Sequence, residues 1–149
     1  MNERSGGILL HITSLPGREG IGTLGENALR WIDFLSETGQ KIWQILPLGP
    51  VGYANSPYLC FSAFAGNPLM IDLFSLVDEH LLPVKYLDNI PRFDIRQCDF
   101  AKVQKWKTPV LKKAFLEFQE RHRDKLHAEY HRFLDENGWW LNDYALFMS

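Results

Sequence analysis

Gly7-Ile8-Leu9-Leu10-His11-Ile12 is a near-continuous apolar run, the pattern of a strand buried on both faces. Thr13 to Gly22 reads as a loop, punctuated by Pro16, Gly17, Gly20 and Gly22. Leu24, Ala28, Trp31, Ile32 and Leu35 then fall at i, i+4, i+7, i+8 and i+11, one apolar stripe of a helix. Thr23 with Glu26 three residues on predicts a capping box, and Gly39 a left-handed cap just past the end. Lys41 to Leu46 predicts a second buried strand, ended by Pro47. Strand, helix and strand in this order predict a right-handed βαβ unit with parallel strands.

The pattern changes between Trp43 and Leu73. After Pro47 the chain is too rich in Gly, Pro, Asn and Ser to be helical, yet it keeps Tyr53, Tyr58, Phe61 and Phe64. Surface loops discard large aromatics, because ordering them beside water gains little. Such a loop is built either to pack on its own domain or to hold a flat, hydroxyl-rich ligand such as a sugar.

From Asp72 onward the period is helical. Leu73, Leu76, Val77 and Leu81 mark a short amphipathic helix that stops before Pro83, and Val84 to Gln97 reads as a connector. Asp99 is placed to cap a helix carrying Phe100 and Val103, which Pro109 is expected to kink or restart before Leu111, Ala114, Phe115 and Phe118. A charged stretch from Arg121 to Arg132 carries Leu126, Tyr130, Phe133 and Leu134 on one side. Asn137-Gly138 is expected to break it, with a separate apolar helix from Trp139 to Met148. Two parallel strands cannot bury both faces or close either edge, so the expectation is the front of a larger α/β protein.

Composition narrows the class. At 149 residues the chain is one domain's worth, and 46% hydrophobic content argues against disorder. The net charge of −2 gives no electrostatic footprint for nucleic acid. No apolar run approaches the ~20 residues that span a bilayer, so no membrane partner is expected. Cys60 and Cys98 form neither C-x-x-C nor a framework, which reads as two reduced thiols in a cytoplasmic protein.

Several constellations have two readings. Gly20-Ile21-Gly22-Thr23-Leu24-Gly25 spells G-x-G-x-x-G between strand and helix, the spacing of a dinucleotide site. Against it, the first Gly comes late after the strand, and the second strand ends in Ile45-Leu46-Pro47 without the acidic residue that binds ribose. His127 and His131, at i and i+4, would present two imidazoles to a metal, but no third ligand joins them and their charged surroundings read as a solvated face. His11 lies at a strand end, where parallel folds place chemistry, and reads equally as a core histidine bonded to backbone. Glycosyl transfer needs two carboxyl groups flanking the bond. Asp33 and Glu37 sit on the helix side of the unit, and Asp72 reads as a helix cap, so no catalytic pair is assigned.

The central stretch carries a family resemblance. GILLHITSLPG, GIGTLGENALRWIDFLSETGQKIWQILPLGP and GYANSPYLCFSAFAGNPLMIDL, followed by CDFAKVQKWKTPVLKKAF and WWLNDYALFM, resemble the N-terminal part of the 4-α-glucanotransferases, or amylomaltases, of glycoside hydrolase family 77. The resemblance implies α/β architecture: the first βαβ unit of a TIM-type (β/α)8 barrel at 5–50, a substrate loop at 51–72 and a mostly helical insertion at 73–149. It implies transfer of α-1,4-glucan segments to a glucose or maltodextrin acceptor through a covalent glycosyl-enzyme, with no cofactor and no metal. The family's catalytic carboxylates lie on later strands, so the isolated chain is expected to be inactive. Ser56 and Tyr58 match substrate-contacting positions in the donor half of the groove. Tyr53 matches a more peripheral glucan site, whose partner tyrosine is replaced here by Gln104. Asn67 is expected to hold the loop rather than touch sugar. The rival reading is a non-catalytic α-glucan-binding module using Tyr53, Tyr58 and Phe61 as platforms.

Overall fold

The computed structural model describes residues 4–121 and 127–149, with the backbone alone for Tyr53, Arg121 and His127. Strand β1 (Gly7–Leu9) pairs in parallel with β2 (Ile42–Gln44), Gly7 opposite Ile42 and Leu9 opposite Gln44. Helix α1 (Glu26–Glu37) makes the crossover between them. The βαβ unit is therefore present, but its strands are shorter than the apolar runs. Past Leu9 the ladder survives as one bond from Leu10 N to Gln44 O, and the chain then turns through a 3-10 segment at Ile12–Ser14.

The strands are not buried on both faces: Leu9 is 55% exposed and Ile42 is exposed as well. Two strands and one helix offer too little apolar surface to cover both sides. Burial is concentrated instead around the segment 67–73, which meets Ala28 of α1 and, further along the chain, Val103, Val110 and Ala114.

The capping box is absent. Gly25 occupies the N-cap of α1, Thr23 turns its hydroxyl to Asp72, and Glu26 pairs with Arg30 at 2.5 Å on the exposed face. A long-range partner outcompetes the local one, because Asp72 lies beside the helix start. Gly39, with φ of 73°, ends the helix as expected.

Helix α2 (Leu73–Asp78) is capped by Asp72, whose side chain accepts from Ser75 N. Helix α3 (Phe100–Arg121) runs unbroken through Pro109, and Asp99 accepts from Lys102 N at its start. An interior proline costs about 3 kcal/mol. The packing of Val110 and Ala114 against Leu73 and Leu82 of the α2 region offsets it.

Helix α4 (His127–Met148) continues through Asn137-Gly138, where a break is expected. Asn137 Nδ2 donates to Phe133 O at 2.9 Å and its Oδ1 accepts from Trp140 Nε1 at 3.0 Å, so the side chain ties successive turns together.

Among the described residues the core consists of three clusters, and each contains one residue of a single short segment. Met70 joins Ile12, Leu15 and Ala28. Leu69 joins Ile21 and Val103. Leu73 joins Leu82, Val110 and Ala114. The segment that closes the aromatic loop is thus the point at which the βαβ unit, α2 and α3 meet.

Candidate functional site

The aromatic loop leaves the C-terminal end of β2 and is closed at its base by a 2.8 Å bond from Asn67 N to Leu48 O. Inside that closure Val51 and Cys60 form an antiparallel bridge, with bonds from Gly52 N to Leu59 O at 3.3 Å and from Phe61 N to Pro50 O at 3.0 Å. Two 3-10 turns, Tyr53–Asn55 and Pro57–Leu59, form the tip. Ala54 and Asn55 both adopt positive φ, 63° and 53°. Asn tolerates this region, whereas Ala is strained by about 1 kcal/mol or more. Such strain persists where surrounding structure over-determines it.

The loop's aromatics divide into two sets. Phe64 packs edge-on against Trp139 of α4 at 4.8 Å and lies 5.7 Å from Trp140, and Phe61 meets Phe147 at 5.9 Å. A cleft of about 370 Å³ separates this half of the loop from α4, with Tyr144 in its wall. Burial pushes the Tyr144 hydroxyl above its ordinary pKa. The Phe61 ring thus has an aromatic partner in α4, although half of it stays exposed. Tyr58 is different: at the tip it is 72% exposed. Ser56 is half-buried beside it and its carbonyl accepts from Leu59 N at 3.0 Å. The backbone of Tyr53 lies in the same tip, and its side chain falls outside the described residues.

Asn67 is buried and holds the loop. Its Oδ1 accepts from Leu69 N at 3.0 Å while its own N–H closes the base. Beyond it, Asp72 Oδ2 accepts from Thr23 Oγ1 at 2.6 Å and Oδ1 accepts from Ser75 N and Oγ. Burial alone would raise the Asp72 pKa, but the bonds from Thr23 and Ser75 prevail and hold it below the ordinary value.

Two residues under this segment escape a reading by pattern. Lys107 is fully buried in α3, with Nζ 2.6 Å from Glu19 Oε2 and donating to Leu69 O at 2.9 Å. Glu19 Oε1 accepts from Leu73 N at 3.1 Å. A signal for Lys107 exists: Val103, Lys107, Val110 and Ala114 sit at i, i+4, i+7 and i+11, so a lysine interrupts an apolar stripe. Glu19 lies in a Gly-rich loop and carries no periodic signal.

The remaining candidates separate cleanly. In the G-x-G-x-x-G run, a Cβ on Gly22 would lie 1.9 Å from Ile12 O and one on Gly25 2.3 Å from the Asp72 carboxyl carbon. These glycines let chain segments approach one another, which accounts for the motif without a nucleotide. His11 is half-buried, its Nδ1 has no hydrogen-bond partner among the described residues, and burial lowers its pKa. Among the described residues Nδ1 thus lacks the backbone bond expected of a core histidine. Asp33 and Glu37 are exposed on α1. The side chain of His127 lies outside the described residues, and among those described no group of three metal-ligating side chains occurs. Cys60 and Cys98 are both free. No helix among the described residues is long and apolar enough to cross a membrane.

Comparison with known proteins follows the same residues. The profile of glycoside hydrolase family 77, described as 4-alpha-glucanotransferase, matches residues 10–149. A 4-alpha-glucanotransferase of Synechocystis is 47% identical over 149 residues, covering 100% of this chain and 30% of the relative. One of Thermus thermophilus is 44% identical over 146 residues, 98% of this chain and 28% of the relative. Among solved structures, an amylomaltase from Streptococcus agalactiae in complex with acarbose superposes with a TM-score of 0.90 at 41% identity, covering 98% of this chain and 29% of that one. The chain thus spans somewhat under a third of the length of the proteins it matches.

Proposed function

Because this chain belongs to the 4-alpha-glucanotransferase family, we propose that it forms the glucan-holding front of an enzyme that transfers α-1,4-glucan segments to a glucose or maltodextrin acceptor. In this reading residues 5–50 are the first strand-helix-strand of a TIM-type barrel, 51–72 the substrate loop and 73–149 a helical insertion. The parallel β1–β2 pair supports it, since barrel sites sit at the C-terminal ends of strands and the aromatic loop leaves the end of β2.

Tyr58 stacks on, or hydrogen-bonds to, a sugar of the donor half, Ser56 contacts the same half, and Tyr53 serves a peripheral glucan site. The observation that carries this reading is the exposed Tyr58 ring on a loop tied down at its base. A ring held out at some entropic cost, while its neighbours Phe61 and Phe64 find aromatic partners in α4, is placed for a ligand. The binding of acarbose by the Streptococcus agalactiae amylomaltase supports a saccharide as that ligand.

The complete enzyme works by retaining double displacement, in which one carboxylate attacks and another exchanges protons. This chain supplies binding and orientation, and by itself performs no transfer. A cytoplasmic location belongs to the same proposal, supported by two cysteines that form no disulfide. The test is direct. Purified chain incubated with maltotriose is expected to yield no glucose or longer maltodextrin, while maltoheptaose binds and Tyr58→Ala weakens it. Transfer by the chain alone, or binding indifferent to Tyr58, would overturn the assignment.

A further inference from the structure

We infer that the buried Glu19–Lys107 pair is a positioning device for the glucan loop, setting the 67–73 segment from which Ser56 and Tyr58 are presented. The inference rests on the loop being the saccharide site.

Lys107 is 0% exposed and Glu19 1%. Taking two opposite charges out of water is expensive, and an apolar pair of similar size often serves stability as well or better. What an apolar pair cannot supply is directional bonding to backbone. Here Lys107 Nζ holds Leu69 O and Glu19 Oε1 holds Leu73 N, so the two side chains secure the closing segment near both of its ends. Their mutual contact at 2.6 Å fixes the distance between those two ties. From Leu69 the linkage runs through Asn67 Oδ1 to Asn67 N and Leu48 O, the base of the loop. Asp72 adds a second negative charge near Lys107, and its own contacts with Thr23 and Ser75 orient the far end of the segment. Helix α3 thereby controls a loop that it meets through a lysine rather than through the aromatic tip. Both residues are positioning residues. Neither is placed against the sugar.

The test compares amide hydrogen exchange in the wild-type chain and in Lys107→Met/Glu19→Gln. The double substitution leaves no unpaired buried charge and keeps an acceptor for Leu73 N, but removes the tie to Leu69 O. Exchange at Phe61, Asn67 and Met70 is expected to rise about tenfold, with Leu10, Thr38 and Gln40 of the βαβ unit unchanged. Affinity for maltoheptaose should fall by about the same factor, because a loosened loop must be ordered on binding. Unchanged exchange in the loop overturns the inference. So does an equal rise in the βαβ unit, which would make the pair a general stabiliser. If the double variant does not fold, Lys107→Met/Glu19→Met, an apolar pair of similar size that drops both backbone ties, is judged by the same comparison. Failure of the wild-type chain to bind maltoheptaose would sink the saccharide assignment, while the exchange map would still decide the positioning role.

Discussion

Thr23 and Asp72 stand 49 residues apart in sequence and 2.6 Å apart in space, hydroxyl to carboxylate. One oxygen of Asp72 serves the chain entering α1 and the other caps α2 through Ser75 N and Oγ. A single carboxylate thus joins the crossover helix to the end of the aromatic loop, and its environment favours the charged form.

That preference sets a pH dependence. The folded pKa of Asp72 lies below its ordinary value of 3.8. Its contribution is therefore present above that value and is lost as pH falls through the lower, folded one. Urea unfolding at pH 7 should find Asp72→Asn less stable by about 1–2 kcal/mol. The difference should shrink as the pH is lowered below 3.8. A gap of constant size would contradict the account.

Gly25 lies under the same carboxylate. A Cβ there would sit 2.3 Å from the Asp72 carboxyl carbon, so Gly25→Ala must displace it and is expected to cost about 1–3 kcal/mol. In an Asp72→Ala background the carboxyl contacts disappear and only the Cβ at 2.8 Å remains, so the clash is much reduced. Denaturation midpoints of the four chains in that cycle should therefore be strongly non-additive.

The two sets of loop aromatics predict opposite phenotypes. Tyr58→Ala should leave stability within about 0.5 kcal/mol and weaken maltoheptaose binding, since the ring is exposed. Phe64→Ala removes contacts with Trp139 and Trp140 and should lower stability by about 1 kcal/mol or more. Parallel thermal melts and titrations of the two variants check this.

His11 offers a second pH signature. Burial lowers its pKa from the ordinary 6.5, so the folded chain resists charging it. Stability should be full above 6.5 and fall as pH drops through the folded value, where the unfolded chain already binds the proton. His11→Phe should flatten that part of a stability-against-pH curve. An unchanged slope would remove His11 as its source.

How much of this was legible in advance follows the range of the interactions. Helix α1, the Gly39 cap and the Asp72 and Asp99 caps are set by near neighbours, which periodicity and cap signatures report, whereas the holding role of Asn67 was legible only through the family resemblance. Thr23 misled because its local signature was real but a distant partner took its hydroxyl. Pro109 and Asn137-Gly138 misled because breaker residues carry costs of only about 1–3 kcal/mol, which tertiary packing or a side-chain tie can offset.

By itself the sequence determined the strand-helix-strand order, the aromatic loop after it and the starts of α2 and α3, because periodicity and cap signatures are local properties of the chain. Tertiary structure alone decided that Phe61 and Phe64 meet aromatic rings of α4 while Tyr58 stands at the loop tip. It also decided that Glu19 finds Lys107 beneath Leu69 and Leu73. A charge's partner and an aromatic ring's neighbour depend on which distant segments meet. No spacing along the chain encodes that until burial has made an unpaired charge or an uncovered ring costly.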